Sequence, residues 1–391
     1  MKFATLAVHA GQSPDPQTGA VNTPVSFSSI FVLDGIGTLR SGFEYSRTDN
    51  PSRQALETTL ATLEGGNHAV AFASGQAAST AVLQLLEPGD ELVTTLDIYG
   101  GTYRLLDRVF NRYGITVKFA EESTPDSIRA ACTERTAMVW GESPSNPLLT
   151  MLDIADLASK TASFRNRKGA KPLLVIDNTF PSPALQNPLA LGADIVVHSC
   201  TKYISGHSDV IGGCVIVNDE ELRQQLKFTQ NATGAVPAPM DCYLLQRGVR
   251  TLPLRMEKHE KNAYLVAEFL RSHPQVEQVF FPGFKDHPGH GLVAKQMRGL
   301  PGILSFRLRG GMEQVEKFFA SLRLILFAGS LGGVESLISH PATMSHGSFP
   351  AVERQKIGIT DNLIRLSLGI EDADDLIEDL HVALSVGTIA Y

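Results

Sequence analysis

The run HSCTKYISGHSDVIGG (198–213) sets a single lysine, Lys202, among small hydroxyl residues, directly after the apolar stretch ADIVV. A lysine is expensive to bury without a partner, so its place at the end of what reads as an internal strand calls for a chemical reason. Two other apolar runs end in the same way. PLLVIDNTF carries Asp177 at its end, and HAVAFASGQ carries Ser74, Gly75 and Gln76. If these runs are strands of one sheet, a lysine, a carboxylate, the hydroxyls of Ser199 and Thr201 and a glycine turn that opens a helix all meet at one site.

Each group has a plain explanation on its own. Ser74-Gly75-Gln76 can be a helix cap, Asp177 can cap a turn, and Lys202 can reach along apolar surface to solvent. The turn does not match the longer fingerprints GxGxxG or GxxxxGK[ST], which argues against a dinucleotide or ATP site. Together the groups form the set that pyridoxal phosphate requires. The amine condenses with the aldehyde, N–H groups at a helix start and nearby hydroxyls hold the phosphate, and the carboxylate keeps the ring nitrogen protonated. Tyr99, in TTLDIYGGTYRLLDRVF, comes after another strand-like run and offers a ring to stack on the pyridine.

The elements that must position these groups fall into three stretches. Residues 1–50 hold proline, glycine and serine with little periodicity, which predicts an extended N-terminal arm that packs on a neighbouring subunit. Residues 51–245 alternate helical and strand-like runs. NPSRQALETTLATLEG places Leu56, Leu60 and Leu63 on one helical face between an Asn-Pro start and a Gly-Gly stop. ELVTTLD, TAMVWGE, PLLVIDN and ADIVVHS are short buried runs separated by helices, the pattern of a mostly parallel central sheet in an α/β domain. Such sheets place ligands at the carboxyl ends of their strands. After the helical LRMEKHEKNAYLVAEFLRSHP, residues 246–391 read as a smaller C-terminal α+β domain.

Composition narrows the function classes. A net charge of −7 argues against general nucleic-acid binding, and no run approaches the ~20 apolar residues of a membrane span. The four cysteines form no CxxC pair, and His198, Cys200 and His207 lack further ligands at a recognisable spacing, so no metal is expected. The opening MKFATLAVHAGQS has no long apolar segment, and a cytoplasmic location is expected.

These motifs, together with EYSRTDNPSR, SPSNP, GSLGGVESLISHPATMSH and LIRLSLGIED, resemble the Cys/Met-metabolism family of pyridoxal-phosphate enzymes, in order along nearly the whole chain. The resemblance implies a type I aminotransferase-like fold and a homotetramer built from two active dimers. It implies that Lys202 carries the cofactor and shuttles protons, that Asp177 pairs with the pyridinium, and that Tyr99 stacks on the ring and assists proton transfer. Gly75, Gln76, Ser199 and Thr201 would hold the phosphate, with Tyr45 and Arg47 reaching the phosphate of the neighbouring subunit. Arg365 would grip the substrate α-carboxylate, Asn146 and Ser330 would orient ring and substrate, and Arg104 would be available to a distal carboxylate.

Two positions depart from the family's usual pattern. Gln76 stands where methionine is common, with little expected effect because backbone N–H groups bind there. Gly329 stands where the γ-synthases and γ-lyases usually carry glutamate, which implies a wider, less acidic pocket. The stretch after Tyr99 lacks the cysteine general in methionine γ-lyases and is more similar to the cystathionine γ-synthase and γ-lyase branch. The implied activity is γ-replacement or γ-elimination on an L-homoserine-derived or sulfur amino acid, foremost O-acylhomoserine plus cysteine. Cystathionine γ-lyase or methionine γ-lyase-type elimination and a non-thiol nucleophile are the alternatives. A non-catalytic scaffold that only binds the cofactor is a rival outside enzymology.

Overall fold

The computed structural model describes residues 1–385. The N-terminal segment opens with helix α1 (Phe3–His9), then runs irregularly through a two-stranded ribbon of β1 (Leu33–Gly35) and β2 (Thr38–Leu39). The helix was not expected from the Pro/Gly-rich composition. It forms because Phe3, Leu6 and Ala7 share one helical face and pack into the large core, and Thr59 Oγ1 donates to the Ala10 carbonyl at 2.7 Å.

Helix α2 (Pro51–Glu64) comes next, as anticipated. Asn50 caps it by accepting the Ser52 N–H at 2.9 Å, Pro51 fills a position whose N–H would be unused, and Gly65 at φ 75° ends it.

Seven strands build the central sheet: β3 (His68–Phe72), β4 (Glu91–Thr95), β5 (Thr116–Ala120), β6 (Thr136–Glu142), β7 (Leu173–Asp177), β8 (Ile195–Ser199) and β9 (Gly213–Val217). Their order is β3-β9-β8-β7-β6-β4-β5, with only β9 antiparallel to its neighbours. Both faces are buried, which explains the near-continuous apolar runs. Ile195 and Val197 of β8 join one core while Val196 joins the core across the sheet. Strands β5 and β9 were not anticipated. TVKFA reads as weakly amphipathic because β5 is a half-buried edge, and GCVIV is short and continues from the hydroxyl-rich turn without a break.

Because β3, β4, β6, β7 and β8 all run the same way, their carboxyl ends share one edge of the sheet. Two helices begin at that edge, α3 (Gly75–Leu83) after β3 and α4 (Gly100–Arg104) after β4.

The long helix Leu252–Ser272 leads to a second sheet of β10 (Val276–Phe280), β11 (Ile303–Leu308), β12 (Leu326–Phe327), β13 (Leu337–Ser339) and β14 (Leu363–Ser367). Its order is β10-β11-β14-β13-β12, antiparallel except for the β12–β13 pair. Helix Ala373–Ser385 contributes Leu376, Leu380 and Ala383 to the separate core beneath it. The central strand β14 presents Arg365, whose register partners are Ser305 and Ser339. Among the described residues no helix is long and apolar enough to cross a membrane.

Gly213 opens β9 where that strand passes the start of α3, and a Cβ there would collide with the Ser74 carbonyl oxygen. Gly213→Ala is expected to lose about 1–3 kcal/mol of stability and to bind a phosphate-bearing ligand more weakly at α3. Thermal unfolding and a pyridoxal phosphate titration check this; unchanged values in both would refute the tight packing.

Candidate active site

A cavity of about 490 Å3 opens at the carboxyl edge of the large sheet, and residues of β14, of β13 and of the segments on either side of β13 also line it. Of the residues singled out in the sequence, Lys202, Asp177, Tyr99, Gly75, Gln76, Ser199, Thr201, Arg365, Asn146, Ser330 and Arg104 all line it. Tyr45 and Arg47 do not. Arg47 lies over the Tyr45 ring at 5.3 Å and donates to the carbonyl and side-chain oxygens of Asn231 at 2.6 and 2.9 Å.

Lys202 sits in the turn after β8. Its Nζ donates to Ser330 Oγ at 2.8 Å and takes part in no ion pair among the described residues. Burial, with a smaller contribution from the Arg365 charge, lowers the amine to about 8. Arg365 is almost fully enclosed, donating from Nη1 to Asn146 Oδ1 at 3.0 Å and from Nη2 to the Ser330 carbonyl at 2.7 Å. Burial lowers it to about 10, opposed by Tyr99, Tyr203 and Glu142. Ser330 is held between the two cations at φ 117°, a conformation that non-glycine residues rarely adopt.

At the end of β7, Asp177 accepts the Thr179 N–H at 3.0 Å and is surrounded by protein except toward the cavity. Burial raises its pKa, opposed by the Thr179 hydroxyl and N–H and by His198. At the start of α3, Ser74 Oγ accepts the Ala77 N–H at 3.0 Å. The N–H groups of Gly75 and Gln76 lie in the first turn and have no intrahelical acceptor. A Cβ at Gly75 would stand 2.9 Å from Ser199 Cβ, so the backbone approaches closely there. The Thr201 hydroxyl meets the Gly212 N–H at 3.1 Å, and Ser199 N–H donates to Thr179 Oγ1 at 2.9 Å.

This donor set fits pyridoxal phosphate. An amine shifted toward neutrality, free N–H groups at a helix start, a carboxyl and an aromatic ring stand around one space, and the glycine at 75 leaves the cradle open. The match of the family described as Cys/Met metabolism PLP-dependent enzyme, over residues 4–385, agrees with that set. The chain belongs to this family.

Among its relatives, the cystathionine gamma-synthase of Mycobacterium tuberculosis (strain ATCC 25618 / H37Rv) is 50% identical over 97% of this chain and 96% of its own length. The cystathionine gamma-lyase of Dictyostelium discoideum is 48% identical over 98% of this chain and 97% of its own. A crystal structure of cystathionine gamma synthase from Xanthomonas oryzae pv. oryzae, in complex with aminoacrylate and cysteine, superposes with a TM-score of 0.93 at 45% identity, covering 99% of this chain and 98% of that one. The protein is therefore a pyridoxal-phosphate-dependent enzyme with the fold of its family.

Sequence reasoning missed Glu142, Asp97 and Thr179, all of which stand at or just past strand ends. Glu142 closes TAMVWGE as Asp177 closes LLVID, and the comparison of strand ends that found the aspartate would have found the glutamate. Gly101 leaves room for both the Gln76 amide and the Tyr99 ring, since a Cβ there would stand 2.7 Å from Gln76 Nε2 and 2.9 Å from Tyr99 Cζ. His198, weighed for a metal, faces away from the cavity and pairs with Glu64 at 2.7 Å.

The Lys202 amine should make the apoenzyme take up pyridoxal phosphate at a rate that rises with pH and levels off above about 8. Arg365→Met, which removes a neighbouring cation, should move that midpoint upward. Absorbance-followed reconstitution across pH checks both; a rate that climbs without a break to 10.5, the ordinary lysine value, would contradict the shift.

Proposed function

We propose that the enzyme carries out γ-chemistry on an L-homoserine-derived amino acid, foremost γ-replacement of an O-acylhomoserine by cysteine. The observation that carries this reading is the Lys202 amine, which has a hydroxyl and no carboxylate as its partner and a pKa of about 8. Such an amine can accept and return protons near neutral pH, and γ-chemistry needs proton transfer at two successive carbons.

When bound, pyridoxal phosphate supplies an electron sink conjugated with the amino acid's Cα. Lys202 takes the Cα proton and then serves Cβ, so that the γ-substituent can leave and a nucleophile can add. The Arg365 guanidinium holds the α-carboxylate as a planar fork, and Asn146 and Ser330 fix the fork. Asp177 would pair with the ring nitrogen and keep it protonated, and Tyr99 would stack on the ring and assist proton transfer. Gly75, Gln76, Ser199 and Thr201 form the phosphate cradle.

At the distal end, Arg104 offers a cation from α4, and the nearest atom to a Cβ built at Gly329 is Met344 Cε at 3.7 Å. The space there is open and without an acid, which suits a bulky acyl group and, after it, cysteine. The Dictyostelium relative's name favours elimination as the second reading, since both outcomes share every residue up to loss of the γ-substituent.

The assembly belongs to the same reading. Phe27, Ile30, Val32 and Ile36 of the N-terminal arm are exposed, Ile30 by 70%, and would be covered in a homotetramer of two active dimers. In that arrangement Tyr45 and Arg47 reach the neighbour's phosphate site. Four free cysteines, three of them buried, are in keeping with a cytoplasmic location.

The test is product analysis by mass spectrometry after incubation with O-acetyl- or O-succinyl-L-homoserine, with and without L-cysteine, beside L-cystathionine alone. Cystathionine from the first mixtures is expected. Release of 2-oxobutanoate and cysteine from the second without synthesis would select elimination, and inertness in all mixtures would overturn γ-chemistry on these substrates.

A further inference from the structure

Glu142 ends β6 as the register partner of Asp177 at the end of β7, so two carboxyl groups stand side by side on neighbouring parallel strands. Glu142 is more than nine-tenths enclosed, and its Oε2 accepts the Tyr99 N–H at 2.9 Å. Tyr99 caps α4 with no side-chain hydrogen bond of its own, so this contact anchors the turn that carries the ring. A second tie runs parallel to it: the Ser145 hydroxyl donates to Asp97 Oδ2 at 2.6 Å, joining the same turn to the segment that presents Asn146.

We infer that Glu142 is a positioning residue that holds the Tyr99 turn as a neutral acid, leaving Asp177 as the one carboxylate of the strand-end pair. Two buried carboxyl groups this close cannot both ionise cheaply. The surroundings decide which keeps the proton. Asp177 has the Thr179 N–H and hydroxyl and His198 across the sheet to favour its charge. Glu142 faces Asp177 from β7 and Asp97 from the turn after β4, both acids, with Asn146 and Ser145 uncharged beside it. Arg365 of β14 senses its charge, but the Nη atoms of that arginine are engaged by Asn146 and the Ser330 carbonyl. Burial and the charges of Asp177 and Asp97 push Glu142 well above the usual carboxylate range, against the Tyr99 and Asn146 N–H groups.

The inference rests on Tyr99 as the ring's platform, and Tyr99→Ala serves as the control for that reading. Three variants, Glu142→Gln, Glu142→Ala and Tyr99→Ala, are compared in kcat and KM as holoenzymes and in apoenzyme Tm across pH. Glutamine keeps an acceptor for Tyr99 and no charge, so Glu142→Gln should recover most of the activity that Glu142→Ala loses, a loss of about tenfold to a hundredfold in kcat/KM.

The Tm readout needs no cofactor. In the unfolded chain Glu142 ionises above about 4.5, whereas in the folded chain it resists, so wild-type stability falls as pH rises through that window. Glu142→Gln lacks this loss, and its Tm relative to wild type should climb as pH rises above about 4.5. Glu142→Gln as impaired as Glu142→Ala, or a Tm difference flat with pH, would overturn the neutral acid. Glu142→Ala with wild-type kinetics would overturn the positioning role if Tyr99→Ala is impaired, and would instead strike the reading of Tyr99 if it is not. Should Glu142→Ala fail to fold, the activity and pH profile of Glu142→Gln decide alone.

Discussion

Two cations share one serine. Lys202 Nζ holds the Ser330 hydroxyl and Arg365 Nη2 holds the Ser330 carbonyl, fixing a residue at φ 117° that would relax if either contact were lost. Lys202 belongs to the turn after β8 of the large sheet and Arg365 to β14 of the small one, so this triad is the seam where the two sheets meet over the cavity. A backbone conformation of this kind costs about 1–3 kcal/mol and persists only where the surroundings over-determine it. Here it sets the spacing between the amine of Lys202 and the guanidinium of Arg365, the two groups proposed to move protons and to hold the substrate carboxylate.

The same seam governs the charge of the site. Neither cation has an acid as its hydrogen-bond partner, so both are pushed toward their neutral forms, the lysine to about 8 and the arginine to about 10. The lysine crosses into a useful range and the arginine stays charged. Three buried carboxyl groups near the strand ends, Asp97, Glu142 and Asp177, are all raised by burial, and each is opposed by donors: Ser145 for Asp97, the Tyr99 and Asn146 N–H groups for Glu142, and Thr179, with the charge of His198, for Asp177. On the proposed reading the site would offer an amino acid one fixed cation for its carboxylate, one amine of lowered pKa for its Cα proton and one carboxylate for the ring nitrogen of the cofactor.

Much of this was legible in the sequence because parallel strands end on one edge. Lys202, Asp177 and the Ser74-Gly75-Gln76 turn are found by comparing the residues just past each apolar run, and the sheet direction then brings them together without further information. Arg365 and Ser330 could not be found that way. They come from a different part of the chain, beside the second sheet, and only the family resemblance placed them at the site. Glu142 closes TAMVWGE as Asp177 closes LLVID and was open to the same comparison, but its burial and its bond to the Tyr99 N–H are seen only in the fold. Helix α1 escaped for a related reason, since Phe3, Leu6 and Ala7 are too few to signal a helix until α2 supplies the surface they cover. The departure at Gly329 was visible from the start, and the open space beside it now gives that departure a physical meaning.

The central claim is that the buried amine of Lys202 exists to hold the cofactor. Borohydride reduction of the enzyme as purified, with subsequent protease digestion and mass mapping, tests it most directly. The pyridoxyl mark should fall on the peptide that contains Lys202 and nowhere else, and the colour of the preparation should bleach with it. A mark on a different lysine, or a coloured preparation whose Lys202 peptide stays unmodified, would contradict the account.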